Sequence, residues 1–328
     1  LRAGQTHAEL PAVALGRDVL LNYGQLVQRG AVLAGCLHAK FGLAGDRVAL
    51  VMKNVPEYVE LLLAGWHAGL TMVPANAKLH ARELEYILDH SGARVCFVTP
   101  DLSEAIAPLE HSVDGLERIV EVGSAEYRAL LTGDPAPITQ VTPDDVAWLF
   151  YTSGTTGQPK GAVYSHRAIA VHTMACAIAG VLAVTEQDTV LPVVPMFHAN
   201  AWGFPFTCTF VGAKQVFPGP FLDGPSLLEA FEQEQVTITA GVPTIWMGIL
   251  AELDANSDKY DTSTVRAMVV GGSAAPQSMI EAFEKRHGLR ILHAWGMTEM
   301  CPLGTVSELT TREAGLSEDE QFRYRAKQ

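Results

Sequence analysis

Short apolar runs recur along this chain with amphipathic segments between them, and that alternation limits the fold more than any other feature. Arg47-Val48-Ala49-Leu50-Val51-Met52, Met72-Val73-Pro74-Ala75 and Val95-Cys96-Phe97-Val98 read as strands. Glu57 to Gly69 puts Val59, Leu62, Leu63 and Trp66 on one helical face, and a second helix covers about 81–90. Strands alternating with helices of roughly a dozen residues form βαβ units around a parallel sheet, so the fold class is α/β. A hairpin turning at Gly16-Arg17-Asp18 and a helix capped by Asn22 precede these units. Residues 103–131 hold no motif, and Thr132 to Asp145, rich in Pro and Asp, gives the strongest linker signal. Further on, strands fall at about 189–194, 214–217, 236–240, 265–270 and 290–293. Helices fall at about 165–182, 226–233, 243–253 and 277–287. The tail from Thr310 to Gln328 is polar and helix-prone, without an apolar stripe to pack.

One loop breaks this regularity. After the buried run Val146-Ala147-Trp148-Leu149-Phe150 comes Tyr151-Thr152-Ser153-Gly154-Thr155-Thr156-Gly157-Gln158-Pro159-Lys160-Gly161, with a helix expected from about Ser165. It therefore reads as a strand-to-helix loop. Its glycines let backbone N–H groups close around an anion. The hydroxyls of Thr152, Ser153, Thr155 and Thr156 can donate to phosphate oxygens, and Lys160 adds a point charge. A Walker A loop would place Ser or Thr after the lysine, where Gly161 stands. Composition alone leaves an ordinary Gly/Ser/Thr-rich surface loop open as the alternative.

The chain's 328 residues suffice for about two domains with sizeable cores. A net charge of −13 argues against a nucleic-acid partner, which calls for a basic face. Cys36, Cys96, Cys176, Cys208 and Cys301 are far apart, with neither a CxxC nor zinc-ligand spacing, so reduced thiols are expected. There is no signal-peptide pattern and no apolar run of about 18 residues, so the expected compartment is the cytoplasm.

Three further segments have chemistry in them. His293-Ala294-Trp295-Gly296-Met297-Thr298-Glu299-Met300 follows a strand, so its polar groups stand at the carboxyl end of a sheet, where such folds bind ligands. A carboxylate with a hydroxyl suits Mg²⁺, which takes few protein oxygens. Core packing for Trp295 and a helix N-terminal charge for Glu299 are the plain alternatives. Val269-Val270-Gly271-Gly272-Ser273-Ala274-Ala275-Pro276 ends a strand on bare backbone, where a flat ring can lie. It lacks the second glycine of a G-x-S-x-G elbow, which counts against an ester hydrolase. Pro195-Met196-Phe197-His198-Ala199-Asn200-Ala201-Trp202-Gly203 sets a histidine among aromatic residues.

In their order these motifs resemble the adenylate-forming enzymes, the family of acyl-CoA synthetases, luciferases and peptide-synthetase adenylation domains. Residues 151–161 resemble its phosphate-binding signature, and Trp295-Gly296-Met297-Thr298-Glu299 its aromatic-Gly-x-Thr-Glu motif. The resemblance implies that Thr152, Ser153, Gly154, Thr155, Thr156, Gly157 and Lys160 bind the phosphates of ATP. It implies that Thr152 and Glu299 hold Mg²⁺, that Thr298 contacts the adenylate phosphate, and that Gly272, His293, Ala294 and Trp295 surround the adenine. Trp295 stands where most relatives have Tyr, so an indole N–H replaces a hydroxyl. Residues 195–203 resemble the acyl-pocket motif of fatty-acyl-CoA synthetases, which implies that His198 and Ala199 adjoin the carboxylate and that Trp202 gates the acyl tunnel. The catalytic set so implied is Lys160, His198, Thr298 and Glu299.

The resemblance covers the chain from about residue 10 and implies two stacked α/β/α subdomains. Residues 45–175 would form one, and 1–40 with 180–305 the other, followed by a polar tail at 310–328. Nothing after Glu299 resembles the family's barrel subdomain or its lysine-bearing lid, so the expectation is a truncated N-terminal domain, inactive alone. The implied reaction of the parent is ATP-dependent activation of a fatty acid to its adenylate and then to the coenzyme A thioester, in a possible homodimer. The rival expectations are a catalytically silent nucleotide- or acyl-binding module and a short-chain or aryl acyl-CoA ligase.

Overall fold

The computed structural model describes residues 2–43, 45–152 and 157–327. The chain forms two compact units, each around its own sheet. One comprises Leu1–Glu9, Asn22–Val171 and Pro195–Asn200. The other comprises Leu10–Leu21, His172–Val194 and Ala201–Gln328. No described helix is long and apolar enough to cross a membrane.

The first unit holds a six-stranded sheet in the order Arg118–Glu121, Ala93–Val98, Arg47–Val51, Thr71–Pro74, Val146–Thr152 and Lys160–Ser165. Neighbours run parallel except the last pair. The central strands are unbroken apolar runs because helices cover both faces, so alternation of polar and apolar residues is lost. Helix Tyr23–Phe41 begins at a capping box of Asn22 and Gln25 and packs on helix Pro56–His67. Between them Arg29 donates through Nε (3.0 Å) and Nη2 (2.8 Å) to the buried carboxylate of Glu60. Helix Ala81–Ser91 is bounded by a His80/Glu83 capping box and by Gly92 at φ +62°.

Three expectations change here. Residues 22–41 belong with the first unit, and only Leu10–Leu21 of the N-terminal part joins the second. Helix pairing decides this, because the apolar face of Tyr23–Phe41 is buried against Pro56–His67. The Pro/Asp-rich stretch at 132–145 is no boundary: Ala136 N–H donates to Ala31 O (2.9 Å) and Thr139 N–H to His67 O (2.8 Å), binding it to the helices of its own unit. The loop after Val146–Thr152 joins strand to strand, since Lys160–Ser165 forms an antiparallel partner before helix His166–Ala177 begins. As a half-exposed edge strand, Lys160–Ser165 lacks the apolar run that marks the buried ones.

The second unit has eight strands in the order Leu303–Val306, Ile291–Gly296, Ala267–Val270, Ile238–Gly241, Thr189–Pro192, Lys214–Phe217, Pro11–Leu15 and Asp18–Asn22. Helices Gly224–Gln233, Pro243–Ala255 and Gln277–His287 bury Leu227, Phe231, Trp246, Ile249, Ile280 and Phe283 against Leu191, Met268 and Ile291. Asp188 knots the loops at one end, accepting from Arg266 Nε (2.9 Å) and Thr185 N–H (2.8 Å). The C-terminal stretch packs where a loose polar tail is expected. Helix Glu318–Arg325 buries Phe322, and Arg325 makes a fork of hydrogen bonds (2.5 and 2.6 Å) to Glu284. One aromatic side chain and one bidentate ion pair take the place of a stripe.

Candidate functional site

Strands Ala267–Val270 and Ile291–Gly296 are parallel neighbours with Val270 paired to His293, so their carboxyl ends emerge side by side. The first runs into Gly271-Gly272. A Cβ on Gly271 would lie 2.9 Å from Ala294 O and 3.1 Å from Trp202 Cη2, and Gly272 holds φ +78°, so neither position accepts a side chain without strain. The second strand ends in Trp295, whose indole is 44% exposed. Beneath it lies Gly304 on the antiparallel edge strand, where a Cβ would stand 2.8 Å from Trp295 Cζ3. A Cβ on Gly296 would come within 2.2 Å of Pro302 O, which explains the glycine after the tryptophan. Gly271 is thus buried beneath the half-buried Trp202 indole, while Gly272 is exposed and Trp295 stands open to solvent on the neighbouring strand. Such a surface suits a flat aromatic ring.

His293, which the resemblance implies lies around the adenine, packs inside the unit. Its side chain is buried, Nε2 accepts from Ala275 N–H (3.1 Å), and Nδ1 lies 3.3 Å from Arg325 O. The nitrogen that faces a carbonyl must carry the proton, so the histidine is neutral, and burial lowers its pKa. Both ring nitrogens are engaged in holding the Gly-Gly turn and the C-terminal helix. The ring is a strut of the site.

Thr298 is buried in the short helix Thr298–Met300, and the Glu299 carboxylate next to it is exposed. Below, His172 takes the space beside Gly203 and accepts from Leu303 N–H through Nε2 (3.2 Å). Burial pushes its pKa down to about 4 and that of Cys176, 3.7 Å away, up to about 12. His172 and Gly304 escape sequence reasoning, because their significance lies in contacts with residues far along the chain.

The remaining predicted residues lie in the first unit. Thr152 ends its strand and pairs across the ladder with Lys160, whose side chain is exposed. Gly157 holds φ +106°. Ser153, Gly154, Thr155 and Thr156 lie outside the described residues. His198 is exposed as a residue, yet the protein around its ring lowers its pKa by desolvation. Asn54, also missed in sequence, accepts from Met196 N–H (2.7 Å) and pins the start of this segment. Ala199, Asn200, Ala201 and Trp202 then take φ of 46°, 52°, 47° and 59°. Four consecutive non-glycine residues in the left-handed region store strain, typically about 1–2 kcal/mol each. The Asn200 side chain in this turn is buried with neither polar atom hydrogen-bonded.

Among the described residues no cluster of three or more His, Cys, Asp or Glu could hold a metal. Glu299 supplies an exposed carboxylate, a donor that suits a hard cation keeping most of its shell as phosphate and water. A separate cleft lined by Glu284, Gly288, Arg290, Glu308, Leu309, Gln321 and Arg325 has its arginines paired to its glutamates, and none of the motif residues lines it.

Residues 2–322 match the AMP-binding enzyme family. The chain is 39% identical over 311 residues to a long-chain-fatty-acid–CoA ligase of Thermus thermophilus, covering 93% of this chain and 57% of that protein. It is 38% identical over 315 residues to a medium-chain-fatty-acid–CoA ligase of Ectopseudomonas oleovorans, with coverage of 92% and 57%. Its fold is similar to the crystal structure of a long-chain-fatty-acid–CoA ligase from Archaeoglobus fulgidus, with a TM-score of 0.86 and 27% identity, covering 93% of this chain and 64% of that one. The chain thus spans little more than half the length of these relatives.

Proposed function

The chain belongs to the AMP-binding enzyme family, and the relatives it matches there are acyl-CoA ligases; from that premise we propose that it forms the nucleotide- and acyl-binding part of a fatty acid–CoA ligase. The observation that supports this reading most is the open Trp295 indole on the strand next to the one that ends in Gly271-Gly272, with Thr298 and Glu299 following in the next turn. The adenine of ATP lies at the Gly271-Gly272 turn against Trp295, while Ala294 lines its edge. Thr298 faces the α-phosphate. Lys160, with Thr152 opposite it on the ladder, brings positive charge and a hydroxyl to the phosphates.

The reaction joins a fatty-acid carboxylate oxygen to the α-phosphorus and expels pyrophosphate. The thiol of coenzyme A then displaces AMP to give the thioester. Two anions must meet in the first step, so electrostatic stabilisation is the main task of the site. Glu299 would offer a carboxylate oxygen to Mg²⁺, which would supply charge neutralisation of the phosphates. His198 and Ala199 border the carboxylate, and Trp202 stands over the entry of the acyl chain.

A thermal-shift series tests this reading. Mg·ATP should raise the melting temperature, and a non-hydrolysable fatty-acyl adenylate analogue should raise it further, since it fills both parts of the site. A larger shift with an aryl adenylate than with octanoyl or palmitoyl analogues would move the assignment to an aryl ligase. No shift with any of them would refute it.

A further inference from the structure

Tyr151 stands immediately before Thr152, and its side chain has no part in the reaction proposed above. Its hydroxyl lies 2.8 Å from Nδ1 of His90, in the last turn of helix Ala81–Ser91. The two rings meet edge to face at 5.8 Å and 85°. One helical turn earlier Tyr86 stacks on His90 at 5.3 Å and 24°, the contact that i, i+4 spacing gives. The histidine is thus held in place from one side and bonded to the strand from the other. Burial raises the pKa of Tyr151 to about 12, so its hydroxyl stays protonated and the bond to Nδ1 is one between neutral groups.

Across the ladder Tyr151 pairs with Gly161. A Cβ there would lie 2.8 Å from Leu149 Cδ1 and 3.8 Å from Tyr151 Cζ, so the side chains of the inner strand cover the glycine and draw the edge strand close. The next pair along is Thr152 with Lys160. Lys160–Ser165 is the outermost strand of its sheet, joined to it through Val146–Thr152 alone. Its end would fray without a tie, because strand termini at a sheet edge have few buried contacts.

We propose that the Tyr151–His90 hydrogen bond is a clamp that fixes the spacing of Thr152 and Lys160 for phosphate binding. Both members are positioning residues. They act through the ladder and touch no ligand. The clamp rests on the nucleotide-binding reading of this chain, and it predicts an effect confined to phosphates, since the bond itself is part-exposed while the Tyr151 ring, which Tyr151→Phe keeps, packs on the unit's core.

The experiment titrates the wild-type chain, Tyr151→Phe, His90→Leu, His90→Asn and the double variant Tyr151→Phe/His90→Leu with Mg·ATP and with adenosine. Each of Tyr151→Phe and His90→Leu should weaken Mg·ATP binding by about three- to tenfold, the usual worth of one hydrogen bond. The double variant should be no weaker than either single one, because both remove the same bond. His90→Asn, whose side-chain oxygen can stand near the Nδ1 position, should recover part of the affinity. Adenosine affinity should not change, and amide exchange should quicken at 146–152 and 160–165 only. Unchanged Mg·ATP affinity in Tyr151→Phe would overturn the clamp and leave the functional reading intact. Equal losses for Mg·ATP and adenosine would overturn it as well, by showing a general structural role. A wild-type chain that binds neither ligand would bring down the functional reading, and the clamp with it.

Discussion

Nε2 of His293 accepts a hydrogen bond from the backbone N–H of Ala275 at 3.1 Å. The other ring nitrogen meets Arg325 O at 3.3 Å, so one imidazole joins a central strand, the turn after its neighbour and the C-terminal helix. His293→Leu leaves a buried donor and an acceptor without partners, at about 1–3 kcal/mol each. Chemical denaturation should show a loss of about 2–4 kcal/mol, and amides in 318–327 should exchange faster. A variant as stable as the wild type would mean that neither bond matters.

Acid should weaken the second unit through His172. Its pKa in the fold, about 4, lies below the ordinary 6.5, because burial disfavours the imidazolium. As pH falls below 6.5 the unfolded chain takes up the proton first, so stability present above that value is lost progressively down to about pH 4. The full effect is about 3 kcal/mol. Denaturation midpoints between pH 7 and 4 should fall less steeply in His172→Gln than in the wild type.

Two glycine substitutions should move stability in opposite directions. Gly296→Ala drives a Cβ to within 2.2 Å of Pro302 O and should cost at least about 2 kcal/mol, since backbone must shift. Gly248, in helix Pro243–Ala255, has nothing within 4 Å of its added Cβ, so Gly248→Ala should stabilise by about 0.5–1 kcal/mol. Thermal melts of both variants check the pair.

Glu299→Gln keeps the side chain's shape and removes its charge. If Glu299 holds the cation, Mg·ATP binding should weaken by about tenfold or more, while ATP measured in EDTA binds as tightly as to the wild type. Titrations with and without the metal separate these cases. An equal loss in both would show that Glu299 acts by packing.

The buried strands were legible because runs such as Val146–Phe150 and Val95–Val98 are apolar on both faces. The edge strand Lys160–Ser165 was not, since half its residues face solvent and mimic a loop leading to a helix. The Trp295–Glu299 segment stood out through its resemblance to the family's aromatic-Gly-x-Thr-Glu motif. The role of His293 could not, because its partners are 18 and 32 residues distant and the ring's surroundings decide its function. The C-terminal helix escaped for a similar reason: Phe322 and Arg325 find their partners, Lys285 and Glu284, only in the fold.

Photolabelling with 8-azido-ATP tests the central claim, that adenine lies at the Gly271-Gly272 turn against Trp295. The chain is irradiated with the probe and Mg²⁺, digested, and the modified peptides are mapped by mass spectrometry, with excess ATP as competitor. The account predicts ATP-protected label in peptides spanning 269–276 or 291–297, and its loss in Trp295→Ala. Protected label confined to the cleft of Glu284, Arg290 and Arg325, with 269–276 and 291–297 unmodified, would contradict it.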